Sequence, residues 1–231
     1  MRSKVIRNII FDWSGTLVDD LPAVWQATNY VFKRAGIREL TLEEFRAEFC
    51  LPFTKFYNRF TPHVSLAQLE IWFHERFREL EDSVAVIPHA REFLMFCQER
   101  QARTFLLSTI NPDYYQAQSR RLELAHYIEQ PYLRVWDKRA KIGALLQEHC
   151  LLDGETMFVG DMQHDMETAR HGNVAACAVL TGYNGPAQLE QCSPDLLVNH
   201  LGELREVFDG AHPTTHGQWT LAPAVRPAPH G

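Results

Sequence analysis

The chain has 231 residues, 45% hydrophobic and 11% aromatic, and a formal charge of −6. That much apolar material buries a sizeable core, which excludes a disordered chain, and the negative balance lacks the basic footprint of a nucleic-acid or anionic-membrane binder. No run approaches the ~20 continuous apolar residues of a membrane span. The five cysteines (Cys50, Cys97, Cys150, Cys177, Cys192) are odd in number and never spaced as Cys-x-x-Cys. They suit reduced thiols better than a disulfide frame or a zinc site. Met1 leads almost directly into an apolar run without a signal-like stretch, so the expected location is cytoplasmic.

The first element is an apolar run (Val5, Ile6, Ile9, Ile10, Phe11) that ends at Asp12 and breaks at Gly15. It reads as a buried strand delivering a carboxylate to its C-terminal tip, the end at which open α/β sheets bind ligands. Residues 22–35, 42–49 and 66–80 then show helical spacing, with Thr41-Leu42-Glu43-Glu44 and Ser65-Leu66-Ala67-Gln68 as helix starts. From Ile87-Pro88 onward, helix and strand patterns alternate. The helices are 89–101, 113–125, 139–149, 185–191 and 201–208, and the strands 103–108, 132–135, 156–160, 175–180 and 196–198. Such alternation predicts an α/β fold, a three-layer Rossmann-like parallel sheet joined by right-handed crossovers. After Gly210 the chain is rich in Pro, His and Thr with little periodicity, and 211–231 is expected to be a flexible tail.

Chemistry-bearing residues fall at the element boundaries. Asp12 ends the first strand and Ser108-Thr109 ends the strand 103–108. Lys138 opens a helical pattern, and Gly160-Asp161 ends the strand 156–160 with Asp165 four residues further on. A carboxylate can attack a phosphoryl group, provided a cation and hydrogen-bond donors offset the meeting of two anions. Asp12 is thus a nucleophile or a turn former according to what surrounds it. Asp161 likewise suits the N-cap of a helix over 163–171 as well as a metal ligand.

In this order the elements resemble the four motifs of the haloacid dehalogenase-like hydrolase superfamily, over roughly residues 5–208. The segments Phe11-Asp12-Trp13-Ser14-Gly15-Thr16-Leu17 and Val159-Gly160-Asp161-Met162-Gln163-His164-Asp165 carry most of the likeness. The resemblance implies a core of residues 1–20 and 86–210 and a helical cap of residues 21–85 that closes over the active site. It implies a Mg²⁺-dependent hydrolase that forms an aspartyl phosphate on Asp12. Asp12, Ser14 (through its carbonyl), Asp161 and Asp165 would be the metal site, Ser108 and the Thr109 amide would donate to the phosphoryl oxygens, and Lys138 would bridge nucleophile and phosphoryl group. Lys141 is the competing lysine, but Lys138 keeps the family's spacing to Asp161 without a gap.

Ser14 departs from the family pattern. Phosphomonoesterases of the superfamily carry there a second Asp that protonates the leaving group and then activates water, an effect typically worth ~10²–10⁴-fold. Relatives that cleave C–P bonds carry alanine at this position, dehalogenases tyrosine and cation pumps threonine. The missing membrane segments exclude a pump, and position 14 lacks the aromatic of a dehalogenase, although Trp13 adjoins it. The leading expectation is a phosphatase of a small phosphorylated metabolite, similar to the phosphoglycolate phosphatase branch, acting as a monomer or homodimer. One alternative is a phosphonatase-like enzyme using Lys55 of the cap for a Schiff base. Another is a phosphate-ester binding protein with little turnover because Ser14 replaces the acid-base Asp.

Overall fold

The structure, a computed structural model, describes residues 4–211 and 218–224. Its first apolar run divides at Arg7 into two strands, β1 (Lys4–Ile6) and β2 (Asn8–Phe11), followed by the short β3 (Val18–Asp19). Four helices come next: α1 (Leu21–Arg34), α2 (Leu42–Glu48), α3 (Phe53–Phe60) and α4 (Leu66–Leu80). Strand β4 (Ala85–Val86) then pairs antiparallel with β3, Val18 opposite Val86, so the chain enters and leaves this helical block through one two-stranded neck.

The remainder alternates. It runs α5 (Ala90–Glu99), β5 (Arg103–Leu107), α6 (Pro112–Arg121), β6 (Gln130–Tyr132), α7 (Lys138–Glu148), β7 (Thr156–Gly160), α8 (Gln163–His171), β8 (Ala175–Val179), α9 (Pro186–Glu190), β9 (Leu196–Val198), α10 (Leu201–Phe208) and β10 (Trp219–Leu221). Six strands form one parallel sheet in the order β6-β5-β2-β7-β8-β9. From β2 the chain steps outward to β5 and β6 and then crosses back to β7 on the other side of β2, and the crevice at such a switch point is where doubly wound folds bind ligands.

Alternation along each strand explains the layers. Ile9 and Phe11 face one way, packing with Phe93, Cys97, Leu201 and Leu204 of α5 and α10. Ile10 and Phe158 face the other, against Ile142 and Leu145 of α7 and Ala169 of α8. Both faces are therefore covered, as a parallel sheet requires. The helical block has its own apolar cluster, built around Phe32, Phe45, Phe56 and Leu69. At burial worth ~1.5–3 kcal/mol per large apolar side chain, this cluster holds four short helices that would not persist alone.

Local signals explain several boundaries. Thr41 and Glu44 form a reciprocal capping box, 3.1 Å from the Glu44 amide to Thr41 Oγ1 and 2.9 Å from the Thr41 amide to Glu44 Oε2. Ser65 caps α4 through the Gln68 amide. Helix α3 is absent from the sequence expectation; its start at Pro52 offers no side-chain cap and it spans only eight residues. The strand expected at 132–135 lies at 130–132 instead, because Leu107 aligns with Tyr132 and the chain then turns through Arg134 at φ 54°.

The expectation of a flexible tail over 211–231 is corrected for the described part. Trp219–Leu221 pair parallel with Lys4–Ile6, and Trp219 and Leu221 are buried against the core. Lys4 Nζ lies 4.6 Å from the Trp219 ring centroid. Two apolar residues flanking Thr220 are enough for a period-two edge strand, a pattern too short to stand out beside its Pro-rich surroundings. Residues 212–217 and 225–231 of that expectation lie outside the described residues.

Candidate active site

Register brings the strand-tip residues together. Phe11 aligns with Leu106 on one side and Val159 on the other, so Asp12, Ser108 and Asp161 emerge at the same edge of the sheet. Asp12 is held by its own amide, which donates to the Val159 carbonyl at 3.0 Å, and its Oδ1 accepts from the Trp13 amide at 2.7 Å.

Lys138 Nζ lies 2.8 Å from Asp12 Oδ2 and 2.7 Å from Asp165 Oδ1, and the lysine is fully buried. Burial alone would push its ammonium down, but the two carboxylates override this and hold it above its ordinary value. Helix α7 is fixed at its start by Asp137, whose Oδ1 accepts from the Arg139 amide, and by His164 Nε2, which accepts from the Lys138 amide at 3.2 Å. Lys141, the competing lysine, is half-buried with its Nζ 4.7 Å over the Tyr132 ring. The site therefore receives Lys138.

Asp165 uses both oxygens: Oδ1 takes Lys138, and Oδ2 accepts from the Met162 amide at 3.0 Å. Asp161 is not the N-cap of α8, a position taken by Met162. It is fully buried, its Oδ1 accepting from Thr16 Oγ1 at 3.0 Å and its Oδ2 from the Tyr183 amide at 2.7 Å. Two glycines make room for it. A Cβ on Gly15, which has φ 70°, would stand 2.4 Å from Asp161 Oδ2, and one on Gly182 would stand 2.0 Å from the same atom.

Asp12, Asp161 and Asp165 each offer an oxygen within 4.8 Å of the others. Burial pushes the Asp161 carboxyl well up, with Asp165 and Asp12 adding to it, and burial raises Asp12 against the pull of Lys138. Three clustered carboxylates face one lysine, leaving two negative charges uncompensated when all are ionised. An all-oxygen donor set with that deficit fits a hard divalent cation.

Ser108 is buried beside Asp12, its hydroxyl drawing the Asp12 carboxyl down against the effect of burial, and its Oγ accepts from the Ile110 amide at 3.4 Å. Thr109 lines the adjoining cavity, as do Asp12 and Ser14. The Ser14 backbone lies in a turn closed by the Gly15 amide donating to the Val18 carbonyl at 2.8 Å. Its hydroxyl donates to Asp20 Oδ2 at 2.6 Å, and Tyr183 Oη donates to Asp20 Oδ1 at 3.0 Å. Burial moves the Asp20 carboxyl up to about 7, against the effect of those two hydrogen bonds. Trp13 turns into the core, where its indole N–H donates to Gln118 Oε1 at 2.8 Å. Lys55 is not brought to the site: it is exposed on α3 and does not line the cavity.

Sequence reasoning missed Asp20, His164 and the turn 180–184. Asp20 sits beside Asp19 in a stretch read only as the end of the first motif. The turn had one available signal, Gly182 directly beyond a buried strand of the parallel sheet.

A family model described as "Haloacid dehalogenase-like hydrolase" matches residues 9–179. The chain is 26% identical over 222 residues to a phosphoglycolate phosphatase of Chromobacterium violaceum, covering 90% of this chain and 99% of that one. It is 26% identical over 206 residues to a phosphoglycolate phosphatase of Synechococcus elongatus, with 85% and 94% covered. A haloacid dehalogenase-like hydrolase from Streptococcus pneumoniae superposes with TM-score 0.76 at 22% identity, covering 88% of this chain and 98% of that one. A hydrolase from Pseudomonas syringae superposes with TM-score 0.77 at 16% identity, covering 89% and 98%.

Proposed function

The chain belongs to the haloacid dehalogenase-like hydrolases, with phosphatases among its relatives, and from that premise we propose that it hydrolyses a small phosphorylated metabolite through an aspartyl phosphate on Asp12. The observation that carries this reading is the buried contact of Lys138 with Asp12 beneath the cavity lined by Asp12 and Thr109. Asp12 Oδ attacks phosphorus, the bond from phosphorus to the leaving oxygen breaks, and that oxygen takes a proton from water to depart as the alcohol. Water then attacks the acyl phosphate, releasing inorganic phosphate and restoring the Asp12 carboxylate.

Lys138 holds the nucleophile in place and offsets charge on the transferring group, which a point charge at fixed distance does well. Ser108 and the Thr109 amide donate to phosphoryl oxygens. Asp12, Asp161 and Asp165, with the Ser14 carbonyl, would hold Mg²⁺, and their uncompensated charge supports that assignment. The ion when bound neutralises the phosphate and the nucleophile so that two anions can meet. Helices α1 to α4 act as a cap over residues 1–20 and 86–210, entered through the β3–β4 neck. Among the described residues no helix is long and apolar enough to cross a membrane, and we assign the activity to the cytoplasm, in a monomer or homodimer.

The position of Lys55 gives no support to a Schiff-base phosphonatase. A binding protein with little turnover is separated by assay of acetyl phosphate and a panel of phosphate esters with Mg²⁺ and with EDTA. Metal-dependent release of phosphate, lost in Asp12→Asn, is expected; no release from any ester leaves the binding reading.

A further inference from the structure

The cavity beside Asp12 has a volume of about 190 Å³. An apolar cavity of ~150 Å³ accommodates benzene, so this one has room for a ring-sized body. Its lining is dominated by side chains such as Val24, Phe53, Leu69, Phe73, Ile110 and Trp136. Phe53 of α3 and Trp136 of the loop before α7 bring their ring centroids to 4.5 Å, joining the helical block to the sheet domain at this cavity.

Several polar tips among the lining residues are already engaged with one another. His74 Nδ1 and Tyr114 Oη are 2.9 Å apart, Tyr183 Oη donates to Asp20, and Tyr57 Oη lies 3.5 Å from Thr28 Oγ1. What remains in the lining for a ligand is mainly ring and hydrocarbon surface. The charged lining residues beyond Asp12 are Asp20, Glu70 and Arg134. Arg134 is exposed, its guanidinium 6.0 Å from the Trp136 ring centroid. A leaving group ending in a carboxylate would meet two acids and one solvated cation, which disfavours it.

We infer that the substrate is a phosphate monoester whose leaving alcohol carries an apolar, ring-sized body, the ring occupying the cavity between Leu69, Phe73 and Trp136 while the phosphoryl group meets Asp12. This rests on the phosphatase reading above. It separates the chain from relatives named for phosphoglycolate, whose leaving group is a small carboxylate.

Benzyl phosphate and 2-phosphoglycolate test it, since both attach phosphate through one methylene and differ in phenyl against carboxylate. With the full chain and Mg²⁺, kcat/KM for benzyl phosphate should exceed that for 2-phosphoglycolate by about tenfold or more, the effect of burying part of one ring. Trp136→Ala, at an exposed position, should narrow that ratio. The same comparison is made in binding by calorimetry with benzylphosphonate and phosphonoacetate. Acetyl phosphate serves as the control for the chemistry. Turnover of acetyl phosphate with a ratio near one, or reversed, overturns the inference and leaves the phosphatase reading standing. If no phosphate is turned over, the phosphatase reading fails, and tighter binding of benzylphosphonate upholds the cavity's preference while equal or weaker binding overturns it.

Discussion

Ser14 Oγ donates a 2.6 Å hydrogen bond to Asp20 Oδ2, so the hydroxyl two residues beyond Asp12 is tied to a carboxylate six residues further along. From the sequence alone, Ser14→Asp is the change expected to supply the missing acid-base group. The contact alters that expectation, because a carboxylate at 14 would be placed against buried Asp20, and two adjacent carboxylates resist joint ionisation. Ser14→Asp alone should therefore give little gain or a loss. The double variant Ser14→Asp with Asp20→Ser should speed decay of the phospho-enzyme by up to ~10²-fold, the low end for general acid-base catalysis. Rapid-quench decay rates of the two variants decide this; equal rates would show that Asp20 does not govern position 14.

Lys138 is the sole ion-pairing partner recorded for both Asp12 and Asp165 among the described residues. Lys138→Met should abolish phospho-enzyme formation. It should also destabilise the fold by about 3–5 kcal/mol, the usual cost of leaving buried charges without their partner. Urea denaturation with EDTA measures the loss, and a loss below about 1 kcal/mol would mean that water already compensates the acids.

The buried acids make stability depend on pH in a defined direction. Asp12, Asp20 and Asp161 are all raised in the folded state, so between their unfolded values near 4 and about 7, the value for Asp20, the folded chain binds more protons than the unfolded one. Their contribution is therefore fully present below pH ~4 and is lost as pH rises through the folded values. Metal-free protein should lose stability from these groups between pH 5 and 7.5, and Mg²⁺ should stabilise more at pH 7.5 than at pH 5, because it competes with protons for Asp12 and Asp161. Asp20→Asn should flatten the metal-free slope. Denaturation at the two pH values, with EDTA and with Mg²⁺, measures each part; a Mg²⁺ effect independent of pH would contradict the assignment of these acids as its ligands.

Trp219 ties the C-terminal strand to β1 and is buried against the core. Trp219→Ala should cost about 3–5 kcal/mol, as for large-to-small changes in a core, while leaving the pH profile of turnover unchanged. A shifted profile would show that this distant strand positions the catalytic residues.

Several elements are legible in the sequence: β5, β7, β8 and the helices α7 and α10 fall within a residue of their expected bounds. Asp12, Ser108 and Asp161 stand out because each ends an apolar run, and Lys138 because it opens the helix that leads into β7. What the sequence hides is long-range or very short. The split of the first run at Arg7 is set by a partner strand more than 200 residues away. The engagement of Ser14 by Asp20 and the amide that Tyr183 offers Asp161 depend on how turns fold back, which no spacing in the chain encodes. The exposure of Lys55 follows from the face that α3 buries, Phe56 and Tyr57 turning inward; the Phe53-Phe56-Tyr57-Phe60 spacing carries that signal, in a segment where no helix is expected.

The central claim is that Asp12 is the phosphorylated nucleophile. Acid quench of the enzyme during turnover of acetyl phosphate with Mg²⁺, followed by borohydride reduction and peptide mapping, tests it most directly, since an aspartyl phosphate is reduced to homoserine while a free aspartate is not. The account predicts homoserine at position 12 and none in Asp12→Asn. Sustained turnover with position 12 unmodified would contradict it.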